Sequence, residues 1–414
     1  MMAKRLVIIG AGMAAGQLLE HLTEEAPGRF QITLFNAEPR GSYNRIQLSP
    51  VLAGEAGEEA LGAHGPEWYA ARGIACRFGE RVAEIDREAK VVRGARGEVA
   101  YDRLILATGS QPIVLPLPGA DLAGVIGWRD LEHTQDMIAA AKAGSRAVVI
   151  GGGLLGLEAA AGLRARGAEV TVVHLASHLM ERQLDAAAGF LLRKALMARG
   201  IRVLCSAQSD AILGENGKVR ALRLADGTEL PCDLLVMAVG IRPEVSLARA
   251  AGLAVKRGLV VDAQLGTDDP AIFGLGECTE HGGQVFGLVA PLYEQARVLA
   301  DRLLGREAAF APPALSTRLK VTGCEIFSAG DFTEAPGREP ITLSNPARGS
   351  YRRLMLEGGR LVGAVFYGDS RDAAWFHDLI CEGRDVSALR DSLIFGPTPE
   401  SAPEPLAARC SLTA

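Results

Sequence analysis

The sequence predicts an α/β protein with two doubly wound parallel-sheet domains and a small α+β domain after them. Three observations predict it. A strand, a glycine turn, a helix and a second strand follow one another at the start of the chain, and the same unit recurs near residue 147. Each copy is followed by a later apolar strand that ends in glycine, Leu104–Gly109 and then Leu235–Gly240. Beyond Ser316 the texture changes to alternating segments that read as an antiparallel layer. A length of 414 residues fits two or three domains at roughly 150 residues each.

Lys4–Ile9 is apolar and β-branched and reads as the first buried strand, with Gly10–Gly16 as its turn. A helix runs from there to Thr23, and Gln31–Phe35 is the next strand. In the second copy Ala147–Ile150 is the strand, Gly151–Gly156 the turn, Leu157–Arg166 the helix and Glu169–His174 the closing strand. Leu115-Pro116-Leu117-Pro118-Gly119 reads as a crossover linker, and Arg242-Pro243 as the return crossing. Further on, Leu319–Val321, Glu325–Ala329, Tyr351–Leu356 and Leu361–Tyr367 read as strands and Asp372–Leu379 as a helix. The expected domains are residues 1–117 with 244–315, then 118–243, then 316–396. A Pro/Ala-rich tail over 397–414 is expected to be mobile.

Composition narrows the class. With 48% hydrophobic and 22% charged residues, the chain is not intrinsically disordered. Its apolar runs fall short of the ~20 residues a bilayer-crossing helix needs. A net charge of −5 argues against a nucleic-acid partner. The start runs from Met1 straight into Leu6–Gly10, too short to be the apolar core of a signal peptide, so a cytoplasmic protein is expected. Seven scattered cysteines show neither CxxC nor a Cys/His cluster, so neither a dithiol relay nor a metal site is expected. The 49 glycines follow no collagen period and form no linker, so they must serve backbone geometry.

Two clusters of those glycines carry chemistry. Gly10, Gly12 and Ala15 in the first copy, and Gly151, Gly153 and Gly156 in the second, fill the three places of a Rossmann-like phosphate turn. The first allows a tight bend, the second lets the backbone approach a pyrophosphate, and the third permits close packing of helix on strand. The helix N-terminus then offers unpaired N–H groups to the phosphates, and Leu154 and Leu155 within the second turn are counted among the cofactor-binding positions. Each turn follows a strand and opens a helix, so two dinucleotide sites are expected, one for FAD and one for NADH or NADPH.

At Leu104–Gly109, Leu235–Gly240 and Thr267–Glu277 the chain resembles the two-dinucleotide-domain flavoproteins that include ferredoxin and rubredoxin reductases, a glutathione-reductase-like architecture. The resemblance implies FAD on the first site and NAD(P)H on the inserted domain. It places Ala107, Thr108, Gly109, Val239 and Gly240 at the cofactors, with Gly276-Glu277 holding the ribityl chain of FAD. Glu277 stands where the family has Asp. Glu38-Pro39-Arg40-Gly41-Ser42-Tyr43-Asn44-Arg45 is similar to the family's E-P-x-x-x-Y-[DN]-R segment, which implies that Arg45 lies against the flavin. Gly152–Ala160, Leu179–Asp185 and Phe286–Pro291, with Ala290 among the cofactor-binding positions, resemble narrower groups. These are the flavoprotein half of the assimilatory NAD(P)H nitrite reductase large subunit and the electron-transfer subunit of assimilatory nitrate reductase.

The departures also inform. A Lys usually follows the serine at position 49, and here Pro50 does. Peroxide and disulfide reductases need a Cys between about residues 40 and 50, and that stretch has none. Read as 414 residues, the chain is expected to lack the iron–sulfur and sirohaem modules of the nitrite reductase it resembles. A redox protein acceptor, a nitrite or nitrate reductase component or a ferredoxin-like protein, is therefore the expected partner.

The resemblance implies hydride transfer from nicotinamide to flavin, which asks the protein for stacking and electrostatics rather than a nucleophile. Glu158 is the candidate for positioning the nicotinamide. Arg45 is the candidate for stabilising reduced flavin. Glu38 is the candidate for the FAD ribose, with Asn36 at an equally plausible strand end. His174 closes the second strand of the inserted domain, where an acid would favour NADH and an Arg NADPH. A neutral ring there could bond a ribose and a protonated one could tolerate a phosphate, and the absence of an adjacent Arg favours NADH. Alternatives are a ferredoxin, rubredoxin or Rieske-oxygenase reductase and a flavin-bound, NADH-responsive regulatory module. The oligomeric state, monomer or homodimer, stays open.

Overall fold

A computed structural model describes residues 3–62, 64–312, 316–321 and 323–397. The expected tail lies outside the described residues, except for Pro397. The chain forms two compact units. One holds Met1–Val51, Ala56–Pro112 and Ile241–Pro313, and the other Leu52–Glu55, Ile113–Gly240 and Ala314–Ala414.

The first unit is built on a parallel sheet whose strands lie in the order Ile272–Gly274, Arg103–Leu106, Lys4–Ile9, Phe30–Asn36, Ala75–Phe78. Leu6, Val7, Ile8, Leu104, Ile105 and Leu106 are all buried, the near-continuous apolar run expected of strands covered on both faces. The helix Met13–Glu25 turns Ala14, Ala15, Leu18, Leu19 and Leu22 inward at helical spacing and packs beside the helix Val289–Leu304. An antiparallel insert, Val82–Asp86, Val91–Gly94 and Gly97–Ala100, precedes the strand at 103. The two connecting segments pair as a short ribbon, Ser110–Pro112 against Ile241–Pro243.

The second unit repeats the plan. Its parallel sheet runs Ile201–Leu204, Glu169–Val173, Arg146–Ile150, Leu234–Met237, Val125–Gly127, again with an antiparallel insert, here over 209–231. The unit also contains an antiparallel sheet ordered Ser316–Val321, Cys324–Gly330, Arg360–Tyr367, Ser350–Glu357, Arg338–Asn345. The helix Ala373–Glu382 seals its inner face, where Phe366 meets Phe327 and Phe376. The strand Arg338–Asn345 was not expected from sequence. It is a sheet edge with mostly exposed side chains and Pro340 in its middle, a pattern without the alternation that marks an interior strand.

Register brings the strand ends level. Ile9 pairs with both Phe35 and Leu106, and Leu106 with Gly274, so Gly10, Asn36, Ala107 and Leu275, with Gly276 directly after it, emerge at one edge of the first sheet. Ile150 pairs with Val173 and Met237, so Gly151, His174 and Ala238 emerge together in the second.

Candidate functional sites: two dinucleotide turns

In each unit the chain turns from strand to helix directly beneath the neighbouring strand end. Gly10 has φ +108°, and a Cβ there would stand 2.1 Å from the carbonyl oxygen of Ala107. Gly151 has φ +123°, and a Cβ there would stand 2.2 Å from the carbonyl oxygen of Ala238. Only glycine fits either place. Ala15 is fully buried, and its counterpart Gly156 is pressed so close to the carbonyl of Gly151 that a Cβ would lie at 2.1 Å.

The second glycine of each turn is different. Around both Gly12 and Gly153, a Cβ would meet no described atom within 4 Å. Both are N-cap residues, and among the described residues neither helix start has a side-chain cap or an acid in its first turn. By contrast Asp130 caps the helix Leu131–Ala140 and Asp185 caps Ala186–Ala198, each accepting a backbone N–H. The two glycine-opened helices therefore keep free space and unused N–H donors in front of a positive dipole end, the chemistry that receives a phosphate. Leu154 and Leu155 start the second of these helices, and Glu158 lies half-buried on its next turn.

The remaining first-unit candidates gather around the same sheet edge. A Cβ on Gly276 would lie 3.4 Å from that of Ala14, so the Gly-acid strand end faces the opening of the first helix. The N–H of Gly276 donates to Oε1 of the buried Gln295 (2.8 Å), and Oε2 of Glu277 accepts from the Ser110 hydroxyl (2.7 Å). Thr108 donates its hydroxyl to the carbonyl of Glu244 (2.6 Å), and the carbonyl of Gly109 accepts from the N–H of Glu244 (2.8 Å), fixing that turn. Ala290 lies in the first turn of the helix Val289–Leu304, which also starts with no side-chain cap among the described residues.

Glu38 and Arg45 are brought together. Arg45 Nη2 lies 2.5 Å from Glu38 Oε1, the Tyr43 hydroxyl donates to Glu38 Oε2 (2.9 Å), and the guanidinium stands 5.0 Å from the centre of the Tyr43 ring. The competing Asn36 donates its amide to the carbonyl of Arg40 (2.7 Å), so it is committed to shaping this loop.

In the second unit Val239 and Gly240 follow the strand Leu234–Met237, with Gly240 accepting from the N–H of Ile113 (2.9 Å). His174 is bonded on both sides of its ring. Its Nδ1 accepts from the N–H of Gly152 (3.1 Å) and its Nε2 lies 3.0 Å from Glu181 Oε2. Both ring nitrogens are thus bonded within the protein. Sequence reading passed over Glu181, Ser110 and Gln295. Only Glu181 had a signal, because a strand end without its acid invites a search for a carboxylate in the loop that follows.

Cys278 is buried in the first unit with its sulfur 3.3 Å from the carbonyls of Leu106 and Leu275, and burial pushes its thiol pKa up. A protonated, inaccessible thiol is no redox nucleophile. Among the described residues no group of three or more His, Cys, Asp or Glu is placed to hold a metal ion, and no helix is long and apolar enough to cross a membrane.

The chain belongs to the pyridine nucleotide-disulphide oxidoreductase family, whose model matches residues 4–298. Residues 316–384 match the C-terminal domain of rubredoxin NAD+ reductase. The NAD(P)H nitrite reductase of Bacillus subtilis (strain 168) is 45% identical over 401 residues, 96% of this chain and 50% of that protein. The assimilatory nitrate reductase electron transfer subunit of the same organism is 38% identical, covering 97% of this chain and 53% of that protein. The chain thus spans about half the length of these curated relatives. The solved ferredoxin reductase for the CYP199A2 system of Rhodopseudomonas palustris is 30% identical, with a TM-score of 0.79 over 90% of this chain and 93% of that one.

Proposed function

We propose that this protein is an FAD-dependent NAD(P)H oxidoreductase that passes electrons to a partner redox protein, in assimilatory nitrite or nitrate reduction. The observation that carries the reading is the pair of glycine-opened helices on two parallel sheets, each with open space at its second glycine and unused N–H donors. The residues of the first turn fit FAD and those of the second fit a nicotinamide dinucleotide. When bound, these cofactors supply two-electron hydride transfer and onward release of electrons.

The chain's own residues bind and orient. Gly12 and Gly153 admit the pyrophosphates to the helix ends, and Gly10 and Gly151 make the bends that bring them there. Glu277, held by Ser110, would accept from the ribityl hydroxyls. Glu158 would position the nicotinamide, and Arg45, steered by Glu38, would bring positive charge to the flavin. The antiparallel sheet with its helix forms a C-terminal α+β domain suited to receive the partner. A cytoplasmic location suits this use of NAD(P)H. The lack of any cysteine between residues 40 and 50 disfavours peroxide or disulfide reduction.

Similarity to the solved ferredoxin reductase and to the rubredoxin reductase C-terminal domain favours a second reading, reduction of a small iron–sulfur protein. Anaerobic stopped-flow mixing of the FAD-loaded protein with NADH tests the core of the proposal, which predicts flavin bleaching faster than turnover. Candidate acceptors then separate the readings. Electron delivery to a nitrite- or nitrate-reducing component supports the first, and turnover restored only by a ferredoxin supports the second. A flavin that stays oxidised with both NADH and NADPH would defeat either.

A further inference from the structure

The strand Glu169–Val173 ends in His174 rather than an acid, yet a carboxylate reaches the same place from the following loop. A backbone N–H can only donate, so the bond from Gly152 requires an unprotonated Nδ1 on His174. The neutral ring then carries its proton on Nε2, where it donates to Glu181. The ring is also wedged in place, since a Cβ on Gly152 would stand 2.6 Å from its Cγ. His174 is only 8% exposed, whereas the Glu181 side chain is 39% exposed.

The loop itself is anchored to the turn it adjoins. The N–H of Met180 donates to the carbonyl of Gly152 (2.9 Å), that of Leu184 returns to Met180 (2.8 Å), and Leu179 and Met180 are fully buried. Gly152 thus holds both the loop backbone and, through the imidazole, the carboxylate. Leu175, 71% exposed and next to His174, supplies an apolar surface of the kind on which an adenine ring can lie.

We propose that Glu181 is the residue that selects the nicotinamide dinucleotide, accepting hydrogen bonds from the adenosine ribose hydroxyls of NADH and repelling the 2′-phosphate of NADPH. His174 is its positioning residue. The inference rests on reading Gly151–Gly156 as the nicotinamide dinucleotide turn. Arg182, next in the chain, is the cation that could oppose this selection, but the residue fixed to the strand end by the imidazole is Glu181.

The test is calorimetric titration of the FAD-loaded full chain with ADP-ribose and with 2′-phospho-ADP-ribose, probes that contain no nicotinamide and so report binding apart from hydride transfer. The native protein should bind ADP-ribose tighter by about tenfold or more, as one uncompensated like-charge contact implies. Glu181→Gln, close in shape and on a half-exposed side chain, should narrow that ratio by about tenfold. His174→Ala, with Glu181 intact, should narrow it in the same direction, and Glu181→Asp should restore part of it. A ratio unchanged in Glu181→Gln, or a native preference for the 2′-phosphate, would overturn the assignment to Glu181 while leaving the nucleotide turn in place. Binding of neither probe would overturn both.

Discussion

Tyr351 donates its hydroxyl to Oδ2 of Asp185 across 2.5 Å, and Asp185 is the residue that caps the helix Ala186–Ala198. Its Oδ1 accepts the N–H of Ala188 (3.0 Å), and Arg353 Nη1 lies 3.2 Å from Oδ2. Tyr351 and Arg353 are two apart on the strand Ser350–Glu357, so they point from one face of the antiparallel sheet. The Asp185 carboxylate therefore ties that sheet to the parallel-sheet part of its own unit. Burial, and then the carboxylate beside it, push the Tyr351 phenol pKa well up, so the proton stays available for this bond.

Tyr351→Phe should cost ~1–2 kcal/mol by removing a charge-assisted hydrogen bond. Asp185→Ala should cost about 3 kcal/mol, because it removes the helix cap and leaves the largely buried Arg353 without this partner. The double variant should lose less than the sum of the two, with about 1 kcal/mol of coupling. Urea unfolding of the four proteins measures it, and strictly additive losses would show that the two residues act separately.

The glycine turns give a prediction with opposite outcomes at neighbouring positions. Gly10→Ala and Gly151→Ala drive a Cβ into a backbone carbonyl at a positive φ, so each should reduce stability by several kcal/mol. Gly12→Ala and Gly153→Ala meet no described atom and start from φ −71° and −82°, so each should fold with nearly native stability. Gly12→Ala should nevertheless be isolated depleted of FAD, while Gly153→Ala should keep FAD and lose NAD(P)H binding. Flavin absorbance after gel filtration, together with a melting curve, separates loss of ligand from loss of fold.

The same contrast explains what the sequence disclosed. Strand, glycine triplet and helix are local patterns, so Lys4–Ile9 with Gly10, and Arg146–Ile150 with Gly151, could be read within a residue or two. The edge strand Arg338–Asn345 could not, because an edge with Pro340 owes its form to pairing with Ser350–Glu357 rather than to its own pattern. His174 could be placed at a strand end, but its environment depends on Gly152, 22 residues earlier, and Glu181, seven later. The closing of Glu38 onto Arg45 was equally invisible. Both residues were read singly as cofactor contacts, and their bond to each other is a tertiary fact.

Thiol chemistry should follow burial. Burial pushes the Cys232 thiol up to about 12 and Cys76 up to about 11, and raises Cys278, whereas Cys381 is exposed. Iodoacetamide at about pH 8 should therefore label Cys381 in the folded protein, and Cys232 and Cys278 only after unfolding. The linkage has a definite sign. Between the ordinary thiol value of 9.0 and about 12, the unfolded chain loses the Cys232 proton while the folded one keeps it, so stability should fall as pH rises through that window. Cys232→Ala should make the decline shallower, as read from melting temperature against pH.

Whether Glu38 and Arg45 work as a pair can be decided by their double variant. Their ion pair has both side chains largely buried, 21% exposed for Arg45 and 23% for Glu38, so it is less weakened by water than a surface pair. The loop around it is tightly set. Asn36 holds the carbonyl of Arg40, the N–H of Ser42 donates to the Tyr69 hydroxyl (2.8 Å), and a Cβ on Gly41 would come within 2.5 Å of the carbonyl of His64. Within this constrained loop Glu38 meets the Arg45 guanidinium, which Tyr43 also supports from its ring face. Glu38→Gln and Arg45→Gln should each weaken FAD retention by about tenfold, near 1.4 kcal/mol. Tyr43→Phe, which removes one bond to Glu38 and keeps the ring, should weaken it less. The double variant Glu38→Gln with Arg45→Gln should be no worse than the poorer single, because removing either already dissolves the pair. Fluorescence of released flavin against protein concentration gives the dissociation constants, and multiplicative losses in the Glu38/Arg45 double variant would mean that each residue meets the cofactor independently.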